Sequence, residues 1–153
     1  MYNILLQTLP GNAVTYLGEE LCMPNVVVSW KDTKDPQACV TNETVYHQYS
    51  RDPARTPIPW TSGKNGGFST ADSKYLWLPM GNDYVNYNVE KQEGEPKSHL
   101  KLFKKLTELK KKKAFQEGLY ESARNVPDDV YVFTRSLAKE TYVIALNYGK
   151  NEF

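Results

Sequence analysis

The chain has 153 residues, room for one compact domain of ordinary size, which excludes two full domains and a complete large barrel enzyme. Nineteen Lys and Arg against eighteen Asp and Glu leave a net charge of +1, so total charge does not steer the chain to nucleic acid, an anionic membrane or an acidic substrate. Hydrophobic residues make up 40% of it, but eleven are Tyr, nine Pro and nine Gly interrupt the rest, and the mean hydropathy is −0.62, which reads as soluble, folded and loop-rich.

No apolar run approaches the ~20 residues of a membrane-spanning helix, so this segment is not expected to insert directly into a membrane. The opening MYNILLQTLP lacks the basic region of a secretory signal; it reads as the end of a helix over residues 2–9, closed by Pro10-Gly11. Residues 13–17, Ala-Val-Thr-Tyr-Leu, predict a short strand of nearly continuous apolar character, the kind usually buried on both faces of a parallel sheet, and it is left without a partner strand. Gly18-Glu19-Glu20 stands at its carboxyl end, where barrel folds keep their functional groups.

From residue 21 to about 97 neither helical nor strand periodicity is sustained. Seven prolines from Pro24 to Pro96 and the Gly66-Gly67 pair punctuate the stretch, and Trp30, Trp60 and Trp77 are spaced through it. Its length is unusual inside a compact domain and its aromatic content argues against disorder, so it is expected to be an ordered excursion packed on a surface outside this chain. Ser98 then caps a helix over 98–112, with Leu100, Leu102, Phe103, Leu106 and Leu109 on one face and Lys101, Lys104, Lys105, Lys111 and Lys112 opposite. Residues 118–123, 130–135 and 141–148 predict three short strands that begin an antiparallel domain, with turns at Pro127-Asp128-Asp129 and around Lys139. A sandwich would need further strands, so both ends are expected to be cut.

Several residues invite a chemical reading. Residues 97–113 carry eight Lys against Glu108 alone, yet no aromatic side chain interleaves with the lysines for base stacking, so a solvated face is expected and nucleic acid is not. Glu19 and Glu20 resemble a carboxylate pair, but neighbours on an extended chain point to opposite faces, and hydrogen bonding of their own loop is the better reading. Arg51 and Arg55 in SRDPARTP offer planar forks for a carboxylate or for vicinal sugar hydroxyls; a loop clamp in which Arg51 pairs Asp52 or caps carbonyls is equally open. Trp30, Trp60, Trp77 and Phe68 are expected to plug the loop onto its scaffold rather than stack on sugars. Cys22 and Cys39 would close a loop worth ~3 kcal/mol if bonded, and free thiols are equally open. With only His47 and His99 besides, no metal or other cofactor is expected. The sequon Asn42-Glu43-Thr44 makes Asn42 a candidate glycosylation site, although a composition with eleven Asn yields about one such triplet by chance.

The colinear series TLPGNAVTYLGEEL at 8–21, SWKDTKDPQAC at 29–39, SRDPARTPIPW at 50–60, NGGFS at 65–69, WLPM at 77–80, NVEKQ at 88–92 and SHLKLFKKLTELKKKKAF at 98–115 resembles the carboxyl-terminal third of maltase-type α-glucosidases of the α-amylase superfamily. DPQAC with SRDPARTP most resembles the digestive maltases of insects. The resemblance implies an α+β fragment: the last strand and helix of a (β/α)8 barrel followed by the start of an antiparallel β-sandwich domain. Residues 1–113 would be the carboxyl-terminal part of the barrel (strand eight, long loop, final helix) and 114–153 an incomplete antiparallel β domain.

The resemblance also implies that the full-length parent is a secreted or extracellular retaining glycoside hydrolase that acts on terminal α-1,4-linked glucose in maltose-like oligosaccharides. Its aspartate nucleophile, glutamate acid/base and stabilising aspartate would lie on strands preceding this segment, so no catalytic residue is expected here and the chain alone is expected to be inactive. Of the substrate groups, the arginine of the ARTP motif matches Arg55. Pro59 and Thr61 depart from the glutamine and aspartate that relatives usually carry, and Cys22 replaces a common glycine. The alternative is a non-catalytic relative such as an amino-acid transporter heavy-chain ectodomain, which shares the PG…GEE strand.

Overall fold

The computed structural model describes residues 1–123 and 126–150 and divides into two compact units, residues 1–15 with 102–153 and residues 16–101. In chain order its regular elements are helices α1 (Tyr2–Thr8), α2 (Pro36–Cys39), α3 (Val89–Gly94), α4 (His99–Lys110) and α5 (Lys113–Gln116), then strands β1 (Leu119–Ser122), β2 (Val130–Leu137) and β3 (Glu140–Asn147). Short 3-10 turns punctuate the chain between α1 and α3.

In the first unit the strands form one antiparallel sheet in the order β1-β2-β3, with Tyr120 opposite Arg135, Phe133 opposite Ile144 and Arg135 opposite Tyr142. Strand periodicity then sorts the side chains: Ile144 and Leu146 are buried while Val143 and Ala145 between and beside them are exposed. Phe115 of α5, Phe133, Ile144 and Leu146 make the core, and Ile4, Leu5 and Leu9 pack on it from the amino-terminal segment. Phe115 and Tyr142 hold their ring centroids 4.9 Å apart at a tilt of 52°. The β2–β3 turn contains Ala138 at φ 54°, a left-handed conformation unusual for alanine.

Arg135 sits on the same inward face, 1% exposed. Its NH1 donates to Thr8 O at 3.0 Å and its NH2 to Phe115 O and Gly118 O at 2.8 and 3.2 Å. Lys110 Nζ donates to Leu9 O at 2.7 Å. Two cations thus satisfy carbonyls that α1 leaves without an intrahelical partner, at the end where its dipole favours positive charge. Burial lowers the pKa of the Arg135 guanidinium, and burial followed by repulsion from Arg135 lowers that of Lys110.

The second unit contains no strand among the described residues. A small core of Leu21, Ile58 and Leu100, flanked by Met23, Tyr87 and Val89, is supplemented by side chains that satisfy loop backbone. Buried Asn88 caps α3 by accepting from Lys91 N at 2.9 Å and donates to Tyr84 O and Val85 O. Buried Gln92 donates to Leu21 O and accepts from Leu100 N, both at 2.9 Å, so one amide joins residues 71 positions apart and supplies a partner for the first turn of α4. In NGGFS, Asn65, Gly66 and Gly67 all have positive φ, and a Cβ on Gly66 would lie 3.1 Å from Pro59 Cα.

The predicted helix over 98–112 is present as α4, and Lys101 N donates to Ser98 Oγ at 3.2 Å as an N-cap requires. Leu102, at the rim of its apolar arc, is 40% exposed rather than inward. The three predicted strands are present, with β2 carried two residues further to Leu137. The predicted strand at 13–17 is not: it carries no ladder and Val14 is 79% exposed, because a strand exists only through hydrogen bonds to another and no described segment pairs with this one. Residues 124, 125 and 151–153 of the expected second domain lie outside the described residues.

Candidate functional site

The densest polar arrangement in the second unit is built where DPQAC meets SRDPARTP. Pro36 occupies the first position of α2, and Asp35 before it is held extended (φ −64°, ψ 119°), the conformation a following proline imposes. There Asp35 serves as N-cap, its Oδ1 accepting from Gln37 N at 3.2 Å. Arg51 reaches the same carboxylate three times: its backbone N and Nε both donate to Oδ2 and its NH2 to Oδ1, each at 2.7 Å. This is a fork-on-fork pair around a carboxylate with no exposed surface.

Asp52 returns the contact. Its buried Oδ2 accepts from Lys34 N at 2.7 Å and Asp35 N at 2.9 Å, so each segment's carboxylate binds the other segment's backbone. Asp52 Oδ1 and the hydroxyl of Thr56, both buried, have no hydrogen-bond partner among the described residues. Val26 N donates to Pro53 O at 3.0 Å and ties a third segment to the crossing. The hydrogen bonds from Arg51 hold the Asp35 carboxyl well below the usual carboxylate range against the opposing effect of desolvation, and the same bonds raise the Arg51 guanidinium.

Arg55 follows at the end of the Asp52–Ala54 turn. Its NH1 comes no nearer than 4.0 Å to Asp35 Oδ2, and its side chain is 31% exposed. Of the two arginines the sequence leaves open, Arg51 is therefore the clamp, and Arg55 the one whose side chain makes no hydrogen bond among the described residues. The clamp's partner corrects the expected pairing: Arg51 takes Asp35, not Asp52, whose Oδ2 is occupied by the backbone N–H groups of Lys34 and Asp35 and whose Oδ1 is buried.

The remaining candidates are scattered. Glu20 Oε2 accepts from Gly18 N at 2.9 Å, the loop hydrogen bond expected of it. Cys22 and Cys39 are both free and exposed, and Cys22 sits at φ 56°, a position that suits glycine better. Cys22 and Pro59 line one cleft of about 430 Å³ together with Met23, Val26, Tyr84 and Tyr87. Asn42 is exposed, and its Oδ1 accepts from Thr44 N at 3.0 Å, folding the sequon into a local turn. Trp60, Phe68 and Trp77 are each about half exposed on this chain, Trp77 at 59%. No group of three His, Cys, Asp or Glu suited to a metal ion occurs among the described residues. Several lysines of the basic face are spent locally: Lys111 pairs Glu108 at 2.7 Å, and Lys112 Nζ donates to Tyr142 OH at 2.9 Å.

Asp35 carries little signal in the sequence. Its one signal is the Asp-Pro step of a capped helix; pairing with an arginine 16 residues away leaves no mark in composition or spacing.

The family profile described as "Alpha amylase, catalytic domain" matches residues 1–118. Maltase A1 of Drosophila melanogaster is 45% identical over 150 residues, covering 97% of this chain and 26% of its own length. A salivary α-glucosidase of Aedes aegypti is 47% identical over 150 residues, covering 97% of this chain and 25% of its own. An amino acid transporter heavy chain of Homo sapiens is 35% identical over 153 residues, covering 97% and 20%. Among solved structures, trehalulose synthase MutB from Pseudomonas mesoacidophila superposes with a TM-score of 0.79 at 26% identity, covering 96% of this chain and 29% of its own. The chain thus spans about a quarter of the length of the curated relatives it matches.

Proposed function

Because the chain belongs to the α-amylase family, we propose that it is the carboxyl-terminal portion of an α-glucosidase of the maltase type, and that the whole protein removes terminal α-1,4-linked glucose from maltose-like oligosaccharides. The observation that carries this reading is the 45–47% identity over nearly the entire chain to proteins named maltase or α-glucosidase, against 35% to the transporter heavy chain. In this reading residues 1–113 complete a (β/α)8 barrel, with 13–17 as its eighth strand, and 114–153 open an antiparallel β-sandwich domain. The exposed apolar surface of Val14 and its neighbours would then be covered by strands of the same barrel.

Arg55 is the residue of this chain proposed to meet substrate. A planar guanidinium that makes no hydrogen bond among the described residues, partly exposed and anchored beside a rigid clamp, suits vicinal hydroxyls of a neutral sugar. The nucleophile, the acid/base and the stabilising carboxylate belong to the preceding part of the parent, and this chain supplies orientation rather than proton transfer. Salivary α-glucosidases among the relatives support a secreted protein, in which exposed Asn42 is the proposed glycosylation site.

A chimera tests the reading. This chain replaces the matching segment of Maltase A1, and glucose release from maltose is measured. The chimera is expected to hydrolyse maltose, its Arg55→Ala variant to lose activity chiefly through a raised KM, and the isolated 153-residue chain to release no glucose. Glucose release by the isolated chain, or an inactive chimera that is folded, overturns it.

A further inference from the structure

We infer that Arg51 is a positioning residue: by occupying both oxygens of Asp35 it keeps Arg55 from collapsing onto that carboxylate, and so leaves the Arg55 guanidinium available to a sugar. The use made of Arg55 rests on the functional reading above; the competition between the two arginines rests on geometry alone.

A carboxylate offers about four lone-pair sites. Asp35 fills four: Oδ2 accepts from Arg51 N and Arg51 Nε, and Oδ1 accepts from Arg51 NH2 and Gln37 N. Arg55 NH1, 4.0 Å from Oδ2, stands roughly an ångström beyond hydrogen-bonding reach of an acceptor with nothing left to give. Two of the four bonds come from the Arg51 side chain, one on each oxygen. Removing that side chain opens two adjacent acceptor positions in the arrangement a second planar fork fits. It also removes the like charge that opposes the approach of Arg55. Arg55 is the nearest cation and needs only a side-chain adjustment, because its own backbone is held by the bond from Arg55 N to Asp52 O at 2.9 Å. Asp52 Oδ2 is already occupied by two backbone N–H groups and its Oδ1 is buried, whereas the two Asp35 positions vacated by Arg51 form a fork.

A loss of structure and an exchange of partners move Arg55 in opposite directions, which makes the inference testable. Phenylglyoxal modifies accessible, unpaired guanidinium groups, and peptide mass spectrometry reads each arginine separately. Among the arginines of the described residues, Arg55 is expected to react faster than Arg51, whose guanidinium is more exposed but hydrogen-bonded to Asp35, and buried Arg135 not at all. In Arg51→Gln, Arg55 is expected to become protected by about tenfold, the scale of gaining charge-assisted hydrogen bonds, while the Leu100 amide of the same unit stays protected from hydrogen exchange. In Arg51→Lys, which restores the charge but fills only part of the acceptor set, protection is expected to be intermediate. If Arg55 keeps or gains reactivity in Arg51→Gln while the Leu100 amide, bonded to Gln92 in the same unit, stays protected from hydrogen exchange, the inference is wrong. Should Arg51→Gln expose the Leu100 amide, the conservative variant decides alone, and unchanged Arg55 reactivity there is equally fatal. Repeating the labelling on the Maltase A1 chimera with maltose present separates the two layers. Absence of sugar protection at Arg55 removes the substrate role and leaves the exchange of partners standing.

Discussion

Arg135 NH1 donates to Thr8 O at 3.0 Å across 127 positions of sequence, tying the middle strand of the sheet to the last turn of the amino-terminal helix. No carboxylate of the described residues takes part. The guanidinium is satisfied by the carbonyls of Thr8, Phe115 and Gly118, its face lies over the Phe115 ring at 5.7 Å, and its Nε has no partner among the described residues. The residue acts as a buried three-way staple whose removal strands acceptors from three segments.

Replacing Arg135 by Met is therefore expected to destabilise the first unit by about 3 kcal/mol, since each carbonyl left dry costs on the order of 1 kcal/mol or more. Arg135→Lys should recover less than half, because a single ammonium cannot span three carbonyls. Urea unfolding followed by near-UV circular dichroism measures both; a loss under about 1 kcal/mol for the Met variant would show that water replaces the staple.

Gly118 is fixed by close approach. A Cβ there would lie 2.2 Å from Ala114 O and 2.7 Å from Ser136 O, both backbone atoms that cannot rotate away. Gly118→Ala is expected to cost more than about 2 kcal/mol, as overpacking against backbone does, and to loosen α5 from the sheet. Hydrogen exchange of the Phe115 and Ser136 amides would report it, and unchanged protection would contradict the packing described.

The β2–β3 turn runs the other way. Ala138 at φ 54° bears a conformational cost of about 1 kcal/mol that glycine avoids, partly offset by the greater freedom of glycine in the unfolded chain. Ala138→Gly should raise stability by about 0.5 kcal/mol, visible as a small upward shift in Tm; a downward shift would mean that the alanine methyl packs favourably.

Stability should also depend on acid in a direction set by Asp35. Its carboxyl is held below the ordinary range in the folded chain by Arg51, so the unfolded chain binds that proton more readily. The contribution is complete above about pH 5 and drains away as the pH falls through the unfolded value near 4 and toward the depressed folded value. Asp35→Asn should be less stable at neutral pH and lose less on acidification. Parallel stability curves for the two proteins from pH 6 to 3 would remove Asp35 from the explanation.

The local elements follow from the amino-acid sequence alone. Ser98 with the leucine series of α4, and the β-branched and aromatic runs of β2 and β3, are short-range signals, because capping and periodicity act within a few residues. The order of motifs likewise pointed to the α-amylase family, and Arg55 was singled out by its motif. Tertiary structure decided which arginine is spent. Arg51 and Arg55 carry the same charge four residues apart, and only the placement of Asp35, fixed by its proline and by Asp52 gripping its backbone, distinguishes clamp from free donor. It also decided that residues 13–17 carry no ladder and that Arg135 serves as the staple, since strand pairing and buried polar satisfaction are properties of what lies alongside in space rather than along the chain.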